Sequence, residues 1–368
     1  MATIKEINTN TFTNWLKESK EVTILDIRPL SERKEWYIPN SIHFDAYDNL
    51  KLGDIKSLNK LVIDKSKPVV TICARGKLSQ FATEILINKG FDAFFLQGGM
   101  NAWNYAFDTA ELQFENFTII QVRRVAKGCL SYIVGSNHSA IVIDASLDPI
   151  IYENISKEKG WKIEFVTDTH IHADYISRSR ELATQTNATY LFNSVAKVSY
   201  PFFPLKDNQK IIIGKIEIRT MHTAGHTWES TTFEIDKKVL LTGDTLFTDG
   251  IGRPDLKANE EETKIKVIAL FNSLKIISSF NNETYIFPAH TSKSIEINQP
   301  IIGEKIGKLK TTINALSLDL ETFIKNILSN LPPTPPNYLT IADINKTGKV
   351  GDFIIAELEA GANRCAIL

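Results

Sequence analysis

The stretch Thr169-His170-Ile171-His172-Ala173-Asp174 decides the fold of the larger part of this 368-residue chain. It follows a strand-like segment that ends near Val166. Alternate residues of an extended segment project to the same side, so His170 and His172 face one way and Asp174 follows in phase. Imidazole and carboxylate groups are ligands that suit zinc or non-haem iron. The stretch therefore predicts a metal site at the end of a strand.

Three later motifs have the same form, a strand-like segment followed by a histidine or an aspartate. They are Thr223-Ala-Gly-His226-Thr227, Leu241-Thr-Gly-Asp244-Thr245 and Phe287-Pro-Ala-His290. A single histidine of this kind would be an ordinary polar loop residue. Four of the seven histidines fall in these motifs, however, which argues against coincidence. We therefore expect four strand ends to deliver ligands to one edge of a sheet.

Strand-like and helix-like segments alternate in the first 108 residues. Val22–Asp26, Pro68–Ile72 and Phe94–Leu96 are strand-like, and Ser79–Lys89 has the apolar spacing of an amphipathic helix. Strand, helix and strand in this order predict an α/β domain, with a parallel sheet and flanking helices.

Cys73 follows directly on one of these strands, in a loop that leads into the helix. The backbone N–H groups of such a loop, the positive end of the helix, and the side chains of Arg75 and Lys77 all favour a thiolate. A thiolate surrounded by donors can accept a sulfane sulfur and hold it as a persulfide. A small buried hydrophobic residue at a strand end is an equal interpretation on local grounds.

The order of four motifs in this part resembles a single rhodanese (sulfurtransferase) domain over residues 1–108. The motifs are Leu25-Asp-Ile-Arg28, Trp36-Tyr-Ile-Pro-Asn-Ser-Ile42, the loop that begins at Cys73, and Gly98-Gly99 with Trp103. The resemblance implies that Cys73 is the nucleophile that carries the persulfide. It also implies a sulfur-binding loop of Ala74, Arg75, Gly76, Lys77, Leu78 and Ser79. Leu78 stands where many rhodaneses have an arginine, which argues against a strong preference for thiosulfate unless Arg75 and Lys77 compensate.

The histidine and aspartate motifs resemble the metallo-β-lactamase superfamily over residues 113–330, which implies an αββα sandwich. Two branches compete, the glyoxalase II-like thioester hydrolases and the persulfide dioxygenases. Both usually have a histidine directly after the aspartate of the first motif, where this chain has Tyr175. A phenol, with a free pKa of about 10, is a poor zinc ligand at neutral pH. Tyr175 therefore argues against two metals, and most strongly against the hydrolases, which depend on that histidine.

The resemblance to persulfide dioxygenases implies one Fe(II) per chain, held by two histidines and one aspartate, with open positions for O2 and substrate. Matched by motif, the ligands are His170, His226 and Asp244, and the groups that orient ligands and water are His172, Asp174 and His290. Gly252-Arg253-Pro-Asp255 resembles a loop near the active site of these enzymes. Tyr175 and Arg253 are candidate substrate-binding residues, with a structural Arg253–Asp255 pair as an equal alternative.

The expected activity uses both domains. It is the oxidation of a low-molecular-weight persulfide, of glutathione or another thiol, with O2 to sulfite and free thiol. Sulfane-sulfur transfer at Cys73 would form or use thiosulfate. The first alternative is a Zn-dependent, glyoxalase II-like thioester hydrolase with an accessory rhodanese domain. The second is a sulfur carrier whose sandwich only binds a partner or a persulfide.

Composition limits the setting in which the protein works. Lys and Arg number 42 and Asp and Glu 43, so the net charge of −1 gives no electrostatic reason to expect nucleic acid or an acidic membrane as partner. No apolar run approaches the ~18 residues of a membrane span. Three cysteines cannot build a disulfide scaffold, and the N-terminus has no apolar secretory segment. We expect a cytoplasmic protein, and the resemblance implies a homo-oligomer.

The polar, acidic stretch Asp108–Glu115 is predicted to be the linker between the domains. Clustered prolines cannot sustain a helix, so Leu331–Pro336 is predicted to be extended, at the start of a tail over residues 331–368. In that tail, Cys365 is either an incidental thiol or part of a cover on a neighbouring active site. Cys129 is predicted to be a buried strand residue and not a nucleophile.

Overall fold

The structure is a computed structural model that describes residues 3–256, 258–292, 295–334, 336–361 and 365–367. The first part of the chain forms a sheet of five parallel strands in the order β1-β5-β4-β2-β3. The strands are β1 (Lys5–Ile7), β2 (Thr23–Asp26), β3 (Ile42–His43), β4 (Val69–Ile72) and β5 (Ala93–Leu96). The helices are α1 (Thr9–Lys17), α2 (Leu30–Glu35), α3 (Tyr47–Lys51), α4 (Lys77–Asn88) and α5 (Gly99–Trp103).

Helices cover both faces of this sheet. Phe12 of α1 and Trp103 of α5 pack on one face, and Leu50 of α3 and Leu86 of α4 lie in the apolar cluster on the other. Burial of both faces of the sheet explains why the strand sequences are continuous apolar runs. The predicted α/β domain with a parallel sheet is confirmed.

The second part of the chain forms two sheets and a short ribbon. The first sheet, in the order β12-β11-β10-β9-β8-β7-β6, consists of β6 (Phe107–Gln113), β7 (Thr118–Arg124), β8 (Leu130–Ser136), β9 (Ser139–Ile143), β10 (Lys162–Thr167), β11 (Thr189–Asn193) and β12 (Phe203–Leu205). The second sheet, in the order β13-β14-β15-β16-β18-β19, consists of β13 (Lys210–Ile213), β14 (Ile216–His222), β15 (Thr231–Ile235), β16 (Val239–Gly243), β18 (Tyr285–Pro288) and β19 (Glu304–Lys305). The ribbon pairs β17 (Ile251–Gly252) with β20 (Ala366–Ile367).

The helices of this part are α6 (Pro149–Glu158), α7 (Ser179–Thr186), α8 (Glu260–Ser278), α9 (Ile306–Thr312), α10 (Leu320–Ser329), α11 (Tyr338–Thr347) and α12 (Ile355–Leu358), with a 3-10 turn at Asn314–Leu316. Tyr152 of α6 and Leu182 of α7 pack on the outer face of the first sheet. Leu270 of α8 and Phe323 of α10 pack on the second sheet. The two sheets bury their inner faces against each other, so the predicted αββα sandwich is confirmed.

Two local predictions are wrong. The proposed linker is mostly β6, because Asp108 finds a buried partner in Arg123 on β7, with 2.6 Å between the guanidinium and the carboxylate. The run Ile211–Ile218 is strand-like throughout in the sequence and so predicts a single strand, but it forms the hairpin of β13 and β14, because the chain turns at Gly214, where φ is +53°. The boundaries of the three predicted segments stay predictions.

The tail is more structured than the sequence indicates. Leu331–Thr334 form neither helix nor strand, as the prolines predict, but α11, α12 and β20 follow. Pro335, residues 362–364 and Leu368 lie outside the described residues. Of the described helices, none is both long enough and apolar enough to cross a lipid bilayer.

Candidate metal centre and sulfur-binding loop

The four predicted ligand motifs meet at one edge of the sandwich. His170 follows β10 of the first sheet, whereas Asp244 follows β16 and His290 follows β18 of the second. The last residue of β16, Gly243, lets the sheets approach, because a Cβ there would lie 2.7 Å from Oγ1 of Thr169. Its φ of +55° also favours glycine.

His170, His226 and Asp244 are buried and lie together, with one ligand atom of each within 4.8 Å of the others. Oδ2 of Asp244 lies 3.7 Å from Nε2 of His170 and 3.6 Å from Nε2 of His226. This oxygen has no hydrogen-bond partner among the described residues, although it is fully buried. A buried carboxylate oxygen that faces two imidazole nitrogens fits a metal ion, which would satisfy all three atoms.

Hydrogen bonds to the other ring nitrogens orient the two histidines. Nδ1 of His226 lies 2.7 Å from the carbonyl oxygen of Arg253, to which it donates. Nδ1 of His170 lies 2.9 Å from Oγ1 of Thr169, and that hydroxyl donates to Asp144 at 2.9 Å. Both Nε2 atoms therefore keep a lone pair toward Asp244, which is the arrangement that metal-binding histidines use.

The electrostatic surroundings keep these groups in the protonation states that a metal requires. Burial lowers the pKa of His170 and of His226, and neighbouring histidines lower that of His170 further. Burial alone would raise the pKa of Asp244, but the facing imidazoles, with His290 foremost, lower it to about 2. Neutral imidazoles and an ionised carboxylate are ready to bind a cation.

His290 lies between two carboxylates. Its Nδ1 is 2.5 Å from Oδ1 of Asp244, and its Nε2 is 2.8 Å from Oδ2 of Asp174. Burial opposes a charge on the ring, but the two carboxylates raise the pKa of His290 well above its usual value. The thiol of Cys129 lies 3.5 Å from Oδ2 of Asp174, and burial raises its pKa.

His172 and Tyr175 form a separate buried pair. Nε2 of His172 lies 3.0 Å from Oδ1 of Asp144 and 2.9 Å from the Tyr175 hydroxyl, and that hydroxyl donates to the Asp144 carbonyl at 3.3 Å. Nδ1 of His172 has no hydrogen-bond partner among the described residues. Burial raises the pKa of Tyr175 well above its usual value, so the phenol is neutral.

Arg253 is fully buried and engaged with protein groups. Its guanidinium contacts both carboxylate oxygens of Asp255, at 2.9 and 2.8 Å, and the carbonyl oxygens of Pro332 and Pro333, at 2.9 and 3.0 Å. These contacts favour the structural Arg253–Asp255 pair over a role in binding substrate. Arg253 acts on the metal centre through its backbone, whose carbonyl accepts from His226.

A cavity of about 120 Å³ opens beside His226. Its lining includes Trp228, Lys266 and Lys346, none of which the sequence analysis identified. Burial lowers the pKa of Lys266 to about 8. Trp228 could have been found from the sequence, because it lies two residues after the predicted ligand His226. The two lysines belong to α8 and α11, and no motif near them indicates a place beside the metal centre.

Residues of the predicted sulfur-binding loop lie around Cys73. Sγ of Cys73 lies 3.1 Å from the Gly76 N–H nitrogen, 3.4 Å from the Ser79 N–H nitrogen and 3.4 Å from Oγ of Ser79. The two N–H groups donate to the sulfur, and α4 begins at Lys77 beside them. Arg75 and Lys77 are exposed, and Arg75 pairs with Glu357 of α12 at 2.9 Å.

The close approach of the loop around Cys73 explains why the second residue of the Gly98-Gly99 motif is glycine. A Cβ on Gly99 would lie 2.3 Å from the Cys73 carbonyl oxygen and 2.8 Å from the Gly76 nitrogen. Its φ is +58°. Without a side chain at Gly99, α5 approaches the loop closely enough for the Met100 N–H to donate to the Cys73 carbonyl at 2.9 Å.

Comparisons with known proteins agree with this architecture. Residues 9–106 match the model of the rhodanese-like domain, and residues 124–290 match that of the metallo-beta-lactamase superfamily. The chain is 26% identical over 222 residues to mitochondrial persulfide dioxygenase ETHE1 of Mus musculus, covering 59% of this chain and 82% of that protein. It is 29% identical over 161 residues to hydroxyacylglutathione hydrolase of Francisella tularensis subsp. novicida, covering 43% and 61%. A metallo-beta-lactamase crystal structure from Staphylococcus aureus superposes with a TM-score of 0.54 at 29% identity, covering 60% and 69%.

The chain therefore combines a rhodanese-like domain with a metallo-beta-lactamase domain. Its second domain is similar, at low identity, to proteins named persulfide dioxygenase ETHE1. This fold implies a bound metal, and the residues around Asp244 fit one.

Proposed function

We propose that the protein is an iron-dependent persulfide dioxygenase with sulfurtransferase activity at Cys73. The observation that carries the proposal is the buried set of His170, His226 and Asp244, with the unpartnered oxygen of Asp244 facing both imidazoles. Two histidines and one carboxylate are the ligand set of non-haem iron oxygenases. An Fe(II) ion held by them would bring the persulfide and O2 together in one oriented site.

The net reaction converts R–S–SH, O2 and H2O into R–SH, sulfite and two protons. The S–S bond breaks, the terminal sulfur is oxidised, O2 is reduced, and the thiol leaves with a proton. The persulfide is that of glutathione or another small thiol. The cavity beside His226 is the proposed approach for the substrate, and the ammonium groups of Lys266 and Lys346 would attract its carboxylates.

The protein side chains prepare this site before any substrate binds. Thr169 and the Arg253 carbonyl hold the rings of His170 and His226, and His290 orients the carboxylate of Asp244. Asp174 in turn holds His290. Tyr175 is too strongly buried and too weakly acidic to bind metal as a phenolate. It would instead fix His172 at the wall of the site.

In the rhodanese-like domain, the Cys73 thiolate would accept sulfane sulfur and pass it on. Sulfite produced at the iron site could take up that sulfur as thiosulfate, or thiosulfate could supply sulfur in the reverse direction. The Gly76 and Ser79 donors support such a role, because they stabilise negative charge on Sγ. A homo-oligomer in a reducing, cytoplasmic setting remains our expectation.

A Zn-dependent thioester hydrolase is the second candidate, favoured by the similarity to hydroxyacylglutathione hydrolases. Tyr175 speaks against it, since the hydrolases use a histidine there for a second metal.

Iron and zinc quantification together with O2 uptake separates the candidates. We expect iron-loaded protein to consume O2 with glutathione persulfide, and Asp244→Ala to reduce uptake to background. Cys73→Ser should retain O2 uptake and lose transfer of sulfur to sulfite. A zinc protein that cleaves a glutathione thioester and consumes no O2 would overturn the proposal.

A further inference from the structure

Four charged side chains line the cavity beside His226. Glu262 and Lys266 lie one turn apart on α8. Glu229 belongs to the loop before β15, and Lys346 belongs to α11 of the tail. Glu229 and Lys266 are only 7% and 4% exposed, and the other two side chains are half-buried. The cavity therefore presents two ammonium groups and two carboxylates to a molecule that enters it.

The two ammonium groups are not neutralised by direct ion pairs. No carboxylate oxygen of the described residues lies within 4.0 Å of the side-chain nitrogen of Lys266 or Lys346. The Lys266 ammonium has one hydrogen bond within the described part of the chain, to the Leu256 carbonyl at a long 3.5 Å. A buried charge without a close partner is costly, so this lining favours a ligand that supplies the opposite charge.

Each of the two carboxylates has one oxygen held by the protein. Oε1 of Glu229 accepts from the Ile171 N–H at 2.9 Å, and Oε1 of Glu262 accepts from the Trp228 indole N–H at 2.9 Å. No hydrogen bond from a described residue reaches the second oxygen of either carboxylate. These carboxylates are therefore held in position and can still accept from a positively charged ligand group.

The volume of the cavity limits the ligand to a small one. It is about 120 Å³, well below the ~300 to 1,000 Å³ of sites that enclose drug-sized molecules. Ile171, Leu256 and Ala342 supply apolar wall, against which a short aliphatic carbon chain can pack. A small zwitterion satisfies both halves of the charged lining and this volume, whereas a tripeptide would not be enclosed.

The charged head of the ligand must also lie close to its sulfur. The cavity touches His226, one of the proposed metal ligands, and Ile171 and Thr227 of its lining each adjoin a proposed ligand in the chain. In cysteine, one methylene group separates the α-carbon from the sulfur. In glutathione, the free α-amino and α-carboxylate groups lie at the γ-glutamyl end, a further peptide unit away from the sulfur.

We propose that this cavity selects the persulfide of a free α-amino acid, such as cysteine persulfide, over that of glutathione. Lys266 and Lys346 bind the α-carboxylate, and Glu229 and Glu262 bind the α-ammonium group. The inference rests on the proposed function and narrows it, because it names the class of thiol. The net reaction keeps its balance: cysteine persulfide, O2 and H2O give cysteine, sulfite and two protons.

Calorimetric titration of the metal-loaded full chain with S-methylthio-L-cysteine, a stable analogue of cysteine persulfide, tests the inference without turnover. In the absence of O2, we expect one equivalent to bind per chain. The N-acetyl derivative lacks the ammonium group and the methyl ester lacks the carboxylate, so each should bind at least about tenfold more weakly. The S-methylthio derivative of glutathione should also bind more weakly. These comparisons use the unmodified protein, so they do not depend on the folding of a variant.

Variants assign the two charges of the ligand to their partners. Glu229→Gln keeps an oxygen for the Ile171 N–H but removes the negative charge. It should weaken binding of the amino-acid analogue about tenfold and leave that of its N-acetyl derivative unchanged. Lys346→Gln should weaken binding of the analogue and leave that of its methyl ester unchanged. Lys264→Gln is the matched control, because Lys264 is an exposed lysine of α8 outside the cavity lining, and it should change neither.

Equal affinity for the analogue and its N-acetyl derivative, or tighter binding of the glutathione derivative, would overturn the inference. O2 uptake separates this outcome from a failure of the proposed function. We expect kcat/KM to be at least about tenfold higher for cysteine persulfide than for glutathione persulfide. A higher kcat/KM for glutathione persulfide would leave the proposed function standing and overturn the inference alone. No O2 uptake with either persulfide would overturn both.

Discussion

The hydroxyl of Tyr175 lies 2.9 Å from Nε2 of His172, and both side chains are buried at the wall of the metal centre. Tyr175→Phe removes this hydrogen bond without leaving a large cavity. We expect the free energy of unfolding to fall by about 1 to 3 kcal/mol, since a buried polar atom loses a partner. Urea unfolding of the metal-free protein measures the change.

The same variant tests whether the phenol binds metal. We expect Tyr175→Phe to bind iron and cobalt(II) with unchanged stoichiometry, because the phenol is neutral. Loss of a metal equivalent in this variant would make Tyr175 a ligand and contradict our interpretation.

Arg253 should contribute to stability more than to substrate binding. Arg253→Met leaves the carboxylate of Asp255 without its buried partner and frees the Pro332 and Pro333 carbonyls. We expect a loss of about 3 to 5 kcal/mol in the free energy of unfolding. A variant of unchanged stability with a raised KM would instead assign Arg253 to substrate binding.

The cavity beside His226 predicts a pH dependence of substrate affinity. Burial lowers the pKa of Lys266 to about 8, so its positive charge is present below that pH and lost above it. The KM for an anionic persulfide should therefore rise as the pH increases through about 8. In Lys266→Arg the charge persists to higher pH, and the rise should disappear. An identical profile in both proteins would show that Lys266 does not hold the substrate.

Gly99→Ala should disable the sulfur-binding loop alone. The added Cβ would lie 2.3 Å from the Cys73 carbonyl, so the loop must shift and sulfur transfer at Cys73 should fall sharply. Gly90→Ala is the matched control, because Gly90 also has a positive φ, of +83°, but open space around its Cα. Transfer of sulfur to cyanide measures the loss. Equal effects of the two variants would point to backbone strain and not to crowding at Cys73.

Local motifs were enough to predict which residues lie together at the two candidate sites. The loop around Cys73 consists of the six residues that follow it, and each candidate metal ligand lies within four residues of the end of a strand. Pairings between distant residues were not predictable in this way. Asp108 was assigned to a linker because its partner Arg123 lies on the next strand, and nothing near Asp108 in the sequence indicates that pairing. Cys365 and Lys266 reach the metal centre only through the packing of β20 and α8, of which the sequence near them gives no sign.

The candidate metal ligands come from two layers of the sandwich. His170 follows a strand of the first sheet, whereas His226 and Asp244 follow strands of the second. A bound ion would therefore link the two sheets at their edge, and it would have to dissociate before the sheets could separate. Metal occupancy would then determine the lifetime of the folded state as well as the activity. The reason is that an ion that binds only the native state opposes or slows unfolding.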